Sequence, residues 1–567
     1  MAKYNQKNES PVQRTVTHQG GTGLTQRPEH ELIGILSTGL DNTFYEREGE
    51  REKRFAEVLN KVATKDTKFA AQALVYARTK FGQRTVTHRG AVELIKHLQG
   101  NELGKRFFSK RVRNRNEGGI VYRLDDMTEI LACYLAKTGL KPEDKWTMPN
   151  SIKKGFRDAI ENADAYQLAK YQMKNKAVSL VDIVNLVHPK ETDVQGTIDV
   201  PMDVYAKAID GTKFAKETVP AGEVVKVPAL KALVLGILKQ FNTVEDKNTE
   251  AGKKVAEAVK AGEITKDEAK VQLNESKTDN YKELIETKKI GYLALLRNLR
   301  NILKTNDSAL LDKACELLIE PAFIKKSLVW PHVIDLAQDI MLLEFSGAQM
   351  AKVTKALGEA YELSIPNLQK LLPEGKTAVV FDTSASMGGG QWSYSRKVAG
   401  PGNKAINSSP AEKAALVAAT FAKGVFGDVY HFANHAQKIV GWNPNDSINS
   451  LKKKFMSYSG KVGHGTDFGS CFNLFVDQNT QYDRVLIISD EQDGYGNVES
   501  KYGAYCAKFG TPYVYIINVC GYANTAPVKS GNRVFRLYGY TQDIYEKIPQ
   551  VEINPNVLIE EIKKINI

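Results

Sequence analysis

The feature that most constrains this chain is a change in its hydrophobic spacing near Pro373. From about Glu31 to Leu372, apolar residues recur mostly at helical spacing, as in the segment YLALLRNLRNILK. Beyond that point, short apolar runs such as TAVVF, RVLIIS and PYVYIINV alternate with helical stretches. Runs that are apolar at successive positions are typical of strands covered on both faces. The sequence therefore predicts an all-α region followed by a doubly wound α/β domain.

A chain of 567 residues is too long for a single hydrophobic core, so we expect several domains. We assign residues 1–30 to a polar N-terminal arm, 31–372 to a domain of stacked helix pairs and 373–567 to the α/β domain. The stretch at about 244–279 is charged, rich in Ala and poor in large apolar residues. It is predicted to be a helical insertion on the surface.

Composition excludes some classes of protein. No apolar run approaches the length of a membrane-spanning helix, and the N-terminal residues lack the apolar core of a secretory signal. The five cysteines are an odd number without zinc-site spacing, which is typical of reduced thiols. We therefore expect a cytoplasmic protein without membrane attachment.

Basic residues cluster in two places in the helical region. The segment GKRFFSKR contains Lys105, Arg106, Lys110 and Arg111, which could form a solvated helix end or contact phosphates. Further along, the segment KYQMK places Lys170 and Lys174 four residues apart, as neighbours on a helix. Two adjacent positive charges suit a phosphate between them, although solvated lysines are the simpler interpretation. His188, before a proline, could be a helix cap or an RNA contact.

One short sequence occurs almost twice, as QRTVTHQG at Gln13–Gly20 and QRTVTHRG at Gln83–Gly90. The sequences around the two copies do not match. The similarity is either a coincidence between polar segments or a sign of two equivalent sites that present an Arg and a His.

The end of the first predicted strand of the α/β domain carries an unusual group of oxygen atoms. The motif VVFDTSAS places Asp382, Ser384 and Ser386 at alternate positions, so that their side chains share one side. Two further loops at the same sheet edge offer Thr466 and Asp490. Oxygen ligands of this kind suit a divalent cation, most of all Mg²⁺. Helix caps and turn hydrogen bonds are the alternative explanation.

These three elements in this order resemble the metal-ion-dependent adhesion site (MIDAS) of von Willebrand factor A domains, over roughly residues 373–567. The segments AYQLAKYQMKNKAVSLVDIVNLVHPK and LIETKKIGYLALLRNLRNIL resemble the TROVE module. A TROVE region followed by such a domain is similar to the Ro-type ribonucleoproteins and their prokaryotic relatives.

This resemblance implies a ring of HEAT-like helical repeats closed by the A domain. It implies that small noncoding Y RNA binds the outer face and that single-stranded 3′ ends of misfolded RNA enter the central hole. Lys170, Lys174 and His188 match positions used for Y RNA, and Lys174 replaces an arginine of animal relatives. Residues of the hole would be Arg297, Arg300 and His332. The basic cluster at 105–111 and the charged stretch at 244–279 depart from the family pattern.

The sequence therefore predicts a scaffold or chaperone for RNA without catalytic turnover. A partner with an acidic group, such as an exoribonuclease, could dock at the metal site. The alternative is a protein–protein adaptor that uses the metal site alone. Hydrolase chemistry is disfavoured because neither serine lies in a G-x-S-x-G turn, and metal-dependent nuclease chemistry because few carboxylates surround the site.

Overall fold

The computed structural model describes residues 13–567, except 42, 101, 113–116, 141–143, 145, 174–175, 217–221, 239–254, 256, 289, 328–330, 343–344, 366–371, 389–395, 400–404, 527 and 529–532. The chain forms two compact units, and each is discontinuous in sequence. The first contains Met1–Glu52 and Thr243–Val557, and the second contains Lys53–Asn242 and Leu558–Ile567.

The described part of the chain begins with a hairpin of two short strands, β1 (Arg14–Val16) and β2 (Thr22–Thr25), followed by helix α1 (Pro28–Thr38). The hairpin is antiparallel and pairs Thr15 with Gly23. Helix α1 begins at a proline, whose fixed backbone angle and missing N–H suit a first helical turn. Its apolar residues from Leu32 to Leu36 are buried, so the N-terminal segment is part of the first unit.

Helices form most of the second unit. In chain order they are α2 (Glu48–Lys65, which begins in the first unit), α3 (Thr67–Thr79), α4 (Thr85–Leu98), α5 (Glu102–Phe107), α6 (Asp125–Thr138), α7 (Asn150–Glu161), α8 (Ala165–Lys170), α9 (Leu180–Val187), α10 (Met202–Ile209) and α11 (Ala229–Val234). An antiparallel hairpin of β3 (Thr197–Pro201) and β4 (Val224–Pro228) accompanies them.

Helix α7 illustrates why these segments are helical. Pro149 precedes it, and Ile152, Phe156 and Ile160 follow at intervals of four residues. All three are buried, which places them on one face against neighbouring helices α5 and α9.

A second series of helices belongs to the first unit. It comprises α12 (Lys266–Glu286), α13 (Tyr292–Lys304), α14 (Ser308–Leu318), α15 (Pro321–Ser327), α16 (Pro331–Leu342) and α17 (Ala348–Leu363). Helix α12 covers much of the predicted insertion and is largely exposed, with few buried residues such as Tyr281 and Ile285. The rest of that insertion lies mostly outside the described residues.

The remainder of the first unit is built on a six-stranded mixed sheet in the order β13-β11-β10-β5-β8-β9. All neighbours are parallel except β8 and β9. The strands after residue 373 are β5 (Thr377–Asp382), β6 (Arg396–Ala399), β7 (Ala405–Ser408), β8 (Asp428–Phe432), β9 (Ala436–Lys438), β10 (Arg484–Ser489), β11 (Tyr513–Asn518), β12 (Asn524–Thr525) and β13 (Val534–Tyr538). The helices after residue 373 are α18 (Pro410–Val425), α19 (Ile448–Met456), α20 (Ser470–Asp477), α21 (Val498–Phe509), α22 (Gln542–Val551) and α23 (Val557–Lys563), of which α23 belongs to the second unit from Leu558 onward.

Alternate residues of the central strand β5 belong to two different apolar cores. Val379 and Phe381 lie in a core that includes residues of α13–α19, whereas Ala378 and Val380 lie in a core that includes residues of α20 and α21. The sheet is therefore covered by apolar side chains on both faces, as the unbroken apolar runs predict. Helices followed by an α/β domain are thus confirmed, and the change falls between the end of α17 at Leu363 and the start of β5 at Thr377.

Two further sequence expectations concern thiols and membranes. Each of the five cysteines is described by the structure, and each carries a free thiol. In the part of the chain that the structure describes, no helix combines the length and the apolar character needed to cross a bilayer.

Candidate metal centre and nucleic-acid interface

The five predicted metal ligands meet at one edge of the sheet. Strands β5 and β10 are parallel neighbours, with Phe381 opposite Ile488, so their carboxyl ends lie side by side. After β5, the next strand of the chain that belongs to this sheet is β8. It lies on the opposite side of β5 from β10. Strand order therefore reverses at β5, and such a switch point leaves a crevice beyond the strand ends.

Backbone hydrogen bonds connect the three loops that carry the ligands. The N–H of Ala385 donates to the carbonyl of His464 at 2.9 Å, and the N–H of Gly494 donates to the carbonyl of Thr466 at 2.8 Å. The N–H of Gly465 also donates to the side-chain oxygen of Asn434 at 2.6 Å, which connects the Thr466 loop to the loop after β8. The loops are thus fixed relative to one another before any ligand is considered.

Asp382 and the two serines form a connected set of buried polar atoms. The N–H of Ser384 donates to Asp382 Oδ1 at 2.8 Å, and the hydroxyls of Ser384 and Ser386 lie 3.2 Å apart. Ser489 donates its hydroxyl to Asp382 Oδ2 at 2.6 Å. This serine ends β10 directly before Asp490, and the sequence reasoning did not identify it.

The environment of Asp490 gives the clearest indication that this site is suited to a positively charged group. Its Oδ1 accepts the N–H of Gln492 at 3.0 Å, whereas its Oδ2 is buried without a hydrogen-bond partner. Burial and the nearby charge of Asp382 raise the pKa of Asp490, and burial also raises the pKa of Asp382. Two adjacent buried carboxylates are costly unless a positive charge compensates them.

A divalent cation would supply that charge, and the donor set fits one. The residues that would hold it are Asp382, Ser384, Ser386, Thr466 and Asp490, all of which are buried. The set contains only two carboxylates. This is consistent with the described residues containing no group of three or more His, Cys, Asp or Glu side chains that could hold a metal ion.

The N-terminal hairpin reaches this centre, which the sequence did not predict. Gln19 donates its amide Nε2 hydrogens to Thr466 Oγ1 at 2.7 Å and towards Ser386 Oγ at 3.4 Å. Tyr45 lies near the same groups, and burial and the charge of Asp490 raise its pKa to about 12. Gln19 and Tyr45 lie far from the ligands in sequence, so no local pattern could have indicated them.

In the second unit, the predicted basic cluster at 105–111 is divided by the fold. Arg106 is exposed and Lys105 is half-buried. Lys110 donates to Gln167 Oε1 of α8 at 2.7 Å. Arg111 is buried and donates to the carbonyls of Gly118 and Asn566 at 2.5 and 2.9 Å.

Arg111 therefore stabilises the fold through its contacts with backbone carbonyls. The part of this cluster that is exposed to solvent is smaller than the sequence predicts. Burial also lowers the pKa of the Arg111 guanidinium. The contact of Lys110 with α8 does, however, bring the cluster beside the helix that ends at Lys170.

Around Lys170, cationic and aromatic side chains lie together; Lys170 and Tyr166 are exposed, and Arg123 and Tyr171 are half-buried. The ammonium of Lys170 is 5.2 Å from the ring centre of Tyr166 and 5.6 Å from that of Tyr171. The guanidinium of Arg123 lies over the ring of Tyr171, 5.0 Å from its centre. Tyr166 is 50% exposed. We call Arg123, Tyr166, Lys170 and Tyr171 the tyrosine–lysine patch.

The expected helical pairing of Lys170 with Lys174 is wrong, because α8 ends at Lys170. Met173 has a left-handed backbone angle, with φ of 54°, and Gln172 is buried and donates to the carbonyl of Leu238. Lys174 itself lies outside the described residues. Lys170 therefore acts as part of the patch and not as half of a helical pair.

The remaining predicted RNA contacts lie on separate elements. His188 is exposed and caps α9 with φ of 50°, so it is a helix cap whose ring remains accessible. Arg297 is exposed and Arg300 half-buried on α13. His332 is in α16, and its side chain lies outside the described part of the structure.

The two copies of the QRTVTH sequence are not equivalent sites. The first copy contains β1, where Arg14 pairs with Glu499 at 2.7 Å. The second copy begins α4, where His88 is buried and hydrogen-bonds to Asp126 at 2.9 Å. Coincidence of two polar segments therefore explains the similarity.

Comparison with known proteins adds no identification: no protein-family model matches this sequence, and no curated protein matches it.

Proposed function

We propose that this protein is an RNA-binding scaffold without catalytic turnover. It would hold small structured RNA, of the Y RNA kind, on the basic surface of the second unit. It would receive single-stranded 3′ ends through the charged residues of α13 and α16, as Ro-type ribonucleoproteins do. The proposal combines the resemblance of the sequence to TROVE and von Willebrand A modules with the tyrosine–lysine patch.

The patch is the observation that carries this proposal. RNA-binding surfaces combine cations for the phosphates with aromatic rings on which unpaired bases stack. Tyr166 offers a half-exposed ring, and Lys170 an exposed ammonium directly beside it. Lys110 of the basic cluster contacts the same helix. A net charge of +12 for the whole chain favours attraction to a polyanion.

Charge reversal at the patch tests the proposal. We expect Lys170→Glu to weaken binding of a fluorescent stem-loop RNA with a single-stranded 3′ tail by on the order of tenfold, since a charged contact is replaced by repulsion. Lys137→Glu is the matched control, because Lys137 is an exposed lysine of the same unit that is paired with Glu93. Fluorescence anisotropy measures both affinities.

Equal loss of affinity in both variants would show only a general charge effect and would contradict a role for the patch. Sequencing of RNA that co-purifies with the intact protein would then identify the natural ligand. Recovery of no RNA above background from wild-type protein would contradict the proposed function itself.

A further inference from the structure

We infer that Gln19 of the N-terminal hairpin is a ligand of the metal ion, so that the candidate metal centre closes on a segment of its own chain. The inference rests on the metal centre and is independent of RNA binding. It assigns a sixth residue, distant in sequence, to a site that the sequence predicts from three loops.

The separation of the polar atoms supports this assignment. Oxygen ligands of Mg²⁺ lie 2.0–2.1 Å from the ion in a near-octahedral arrangement, so neighbouring ligand atoms are about 3 Å apart. The amide of Gln19 lies 2.7 Å from Thr466 Oγ1 and 3.4 Å from Ser386 Oγ, and Ser386 Oγ lies 3.2 Å from Ser384 Oγ. The amide thus has the spacing of a neighbouring ligand.

The chemistry of a primary amide suits this site both with and without a metal ion. A glutamine side chain ends in a carbonyl oxygen and an NH₂ group, which exchange places by rotation about one bond. Towards hydroxyl oxygens alone, the NH₂ group is the suitable partner and donates. Towards a cation, the carbonyl oxygen is the suitable partner. The same side chain can therefore satisfy the site in both states without movement of the backbone.

The hairpin is anchored at this position on both sides of Gln19. Thr17 donates its hydroxyl to the carbonyl of Asp493, and the N–H of His18 donates to Gln492 Oε1 at 3.0 Å. Gly21 packs so closely that an added Cβ would lie 2.3 Å from the carbonyl oxygen of Asp493. These contacts attach the tip of the hairpin to the loop that carries Asp490.

The position of Gln19 affects how a partner could reach the metal ion. The adaptor hypothesis requires an open position at which a partner's carboxylate reaches the ion. Gln19 occupies a position beside Thr466 and Ser386, and a partner would have to displace it. A metal ion bound there would connect the N-terminal hairpin to the ends of β5 and β10.

Binding of Mn²⁺ in place of Mg²⁺ tests the ligand directly. Water-proton relaxation reports how many water molecules remain on protein-bound Mn²⁺. We expect Gln19→Ala to gain one such water and to bind Mn²⁺ roughly tenfold or more weakly. Gln19→Glu keeps an oxygen ligand and adds negative charge, so it should bind Mn²⁺ at least as tightly, with the wild-type number of waters.

Gln26→Ala is the matched control. Gln26 anchors the same N-terminal segment by donating to the carbonyl of Tyr522 at 2.8 Å, and it accepts from Tyr538 at 3.1 Å. Its loss should leave the water number unchanged. An unchanged water number in Gln19→Ala would overturn the inference. Failure of the wild-type protein to bind Mn²⁺ would overturn both the metal centre and the role of Gln19, without any consequence for RNA binding.

Hydrogen exchange provides a second readout that does not depend on the ion's spectroscopy. Removal of the metal by EDTA should accelerate amide exchange in the hairpin, residues 13–25, of the wild-type protein. In Gln19→Ala, exchange should be fast both with and without metal. Equal exchange of the wild-type hairpin in both conditions would contradict the inference.

Discussion

Asp126 illustrates how the fold determines the environment of a buried charge. It is completely buried and accepts hydrogen bonds from Arg78, from His88 at 2.9 Å, and from the backbone N–H groups of Tyr122 and Arg123 at 3.0 and 2.9 Å. Burial raises the pKa of Asp126, but His88 and the Arg78 charge outweigh it and hold that pKa well below its usual range. These donors connect α3, α4 and the start of α6 within the second unit.

We expect Asp126→Asn to lower the free energy of unfolding by about 3–5 kcal/mol at neutral pH, because it leaves the buried Arg78 charge without its partner. A carboxylate with a depressed folded-state pKa stabilises the protein fully above its unfolded pKa of about 4, and this contribution is lost as the pH falls towards the folded value. The difference in the free energy of unfolding between the wild-type protein and Asp126→Asn should therefore decrease below about pH 4. Urea unfolding, followed at several pH values, measures it.

Asp193→Asn is the control for this prediction, because Asp193 is an exposed acid of the same unit. Its effect should stay within about 0.5 kcal/mol. A wild-type-like stability of Asp126→Asn at neutral pH would show that the buried ion pair contributes little.

At the scale of elements, the repeated QRTVTH sequence shows what local sequence could not determine. The same six residues contain a strand in the N-terminal hairpin and begin a helix at Thr85. The secondary structure of these polar residues depends on the elements that they contact. The first copy pairs with β2, whereas the second packs against the helices α3 and α6.

Other elements were predictable because their own side chains determine them. The apolar run TAVVF is buried at every position, so a central strand was the consistent interpretation. Asp382 and Asp490 were predictable as members of one site because each lies at the end of a strand, and parallel strands end at the same edge of a sheet. Gln19, Tyr45 and Ser489 were not found, because their roles depend on contacts between distant segments or on a hydroxyl within a strand.

The hairpin also provides a prediction at this scale. Gly21→Ala should detach the hairpin tip from the Asp493 loop, because the new Cβ would meet backbone and not a movable side chain. We expect a loss of roughly 1–3 kcal/mol, the usual cost of overpacking, and faster amide exchange in β1 and β2. Gly49→Ala is the control, since nothing lies within 4 Å of its added Cβ. Unchanged exchange in Gly21→Ala would show that the hairpin is not closely packed there.

At the scale of the whole molecule, each compact unit combines segments from distant parts of the chain. In the first unit, β2 of the N-terminal hairpin pairs with β12 (Asn524–Thr525) in a separate three-stranded sheet, and the second unit includes the last ten residues, Leu558–Ile567. In the second unit, Gln72 donates to the carbonyls of Lys563 and Ile565, both at 2.8 Å. Hydrophobic spacing reports the local structure of a segment and not its packing partners, so such a division could not be predicted from the sequence.

The dependence of RNA binding on salt is the prediction that concerns the molecule as a whole. Each neutralised phosphate contributes about −0.7 to −0.9 to the slope of log K against log salt concentration. A basic surface that holds structured RNA should therefore show a steep slope between 50 and 200 mM KCl, measured by fluorescence anisotropy. Replacement of Lys170, Lys174 and His188 together by alanine should make the slope less negative by roughly 1.5, since two lysine contacts are lost.

Two outcomes of that titration separate the proposed functions. A flat slope for the wild-type protein would contradict binding through phosphates, and an unchanged slope in the triple variant would place the contacts elsewhere on the molecule. EDTA should leave the affinity for RNA unchanged, because lysine contacts need no metal ion. An adaptor that binds its partner through the metal centre would instead lose that partner in EDTA, so the same sample measured with and without chelator distinguishes a polyanion surface from a metal-dependent one.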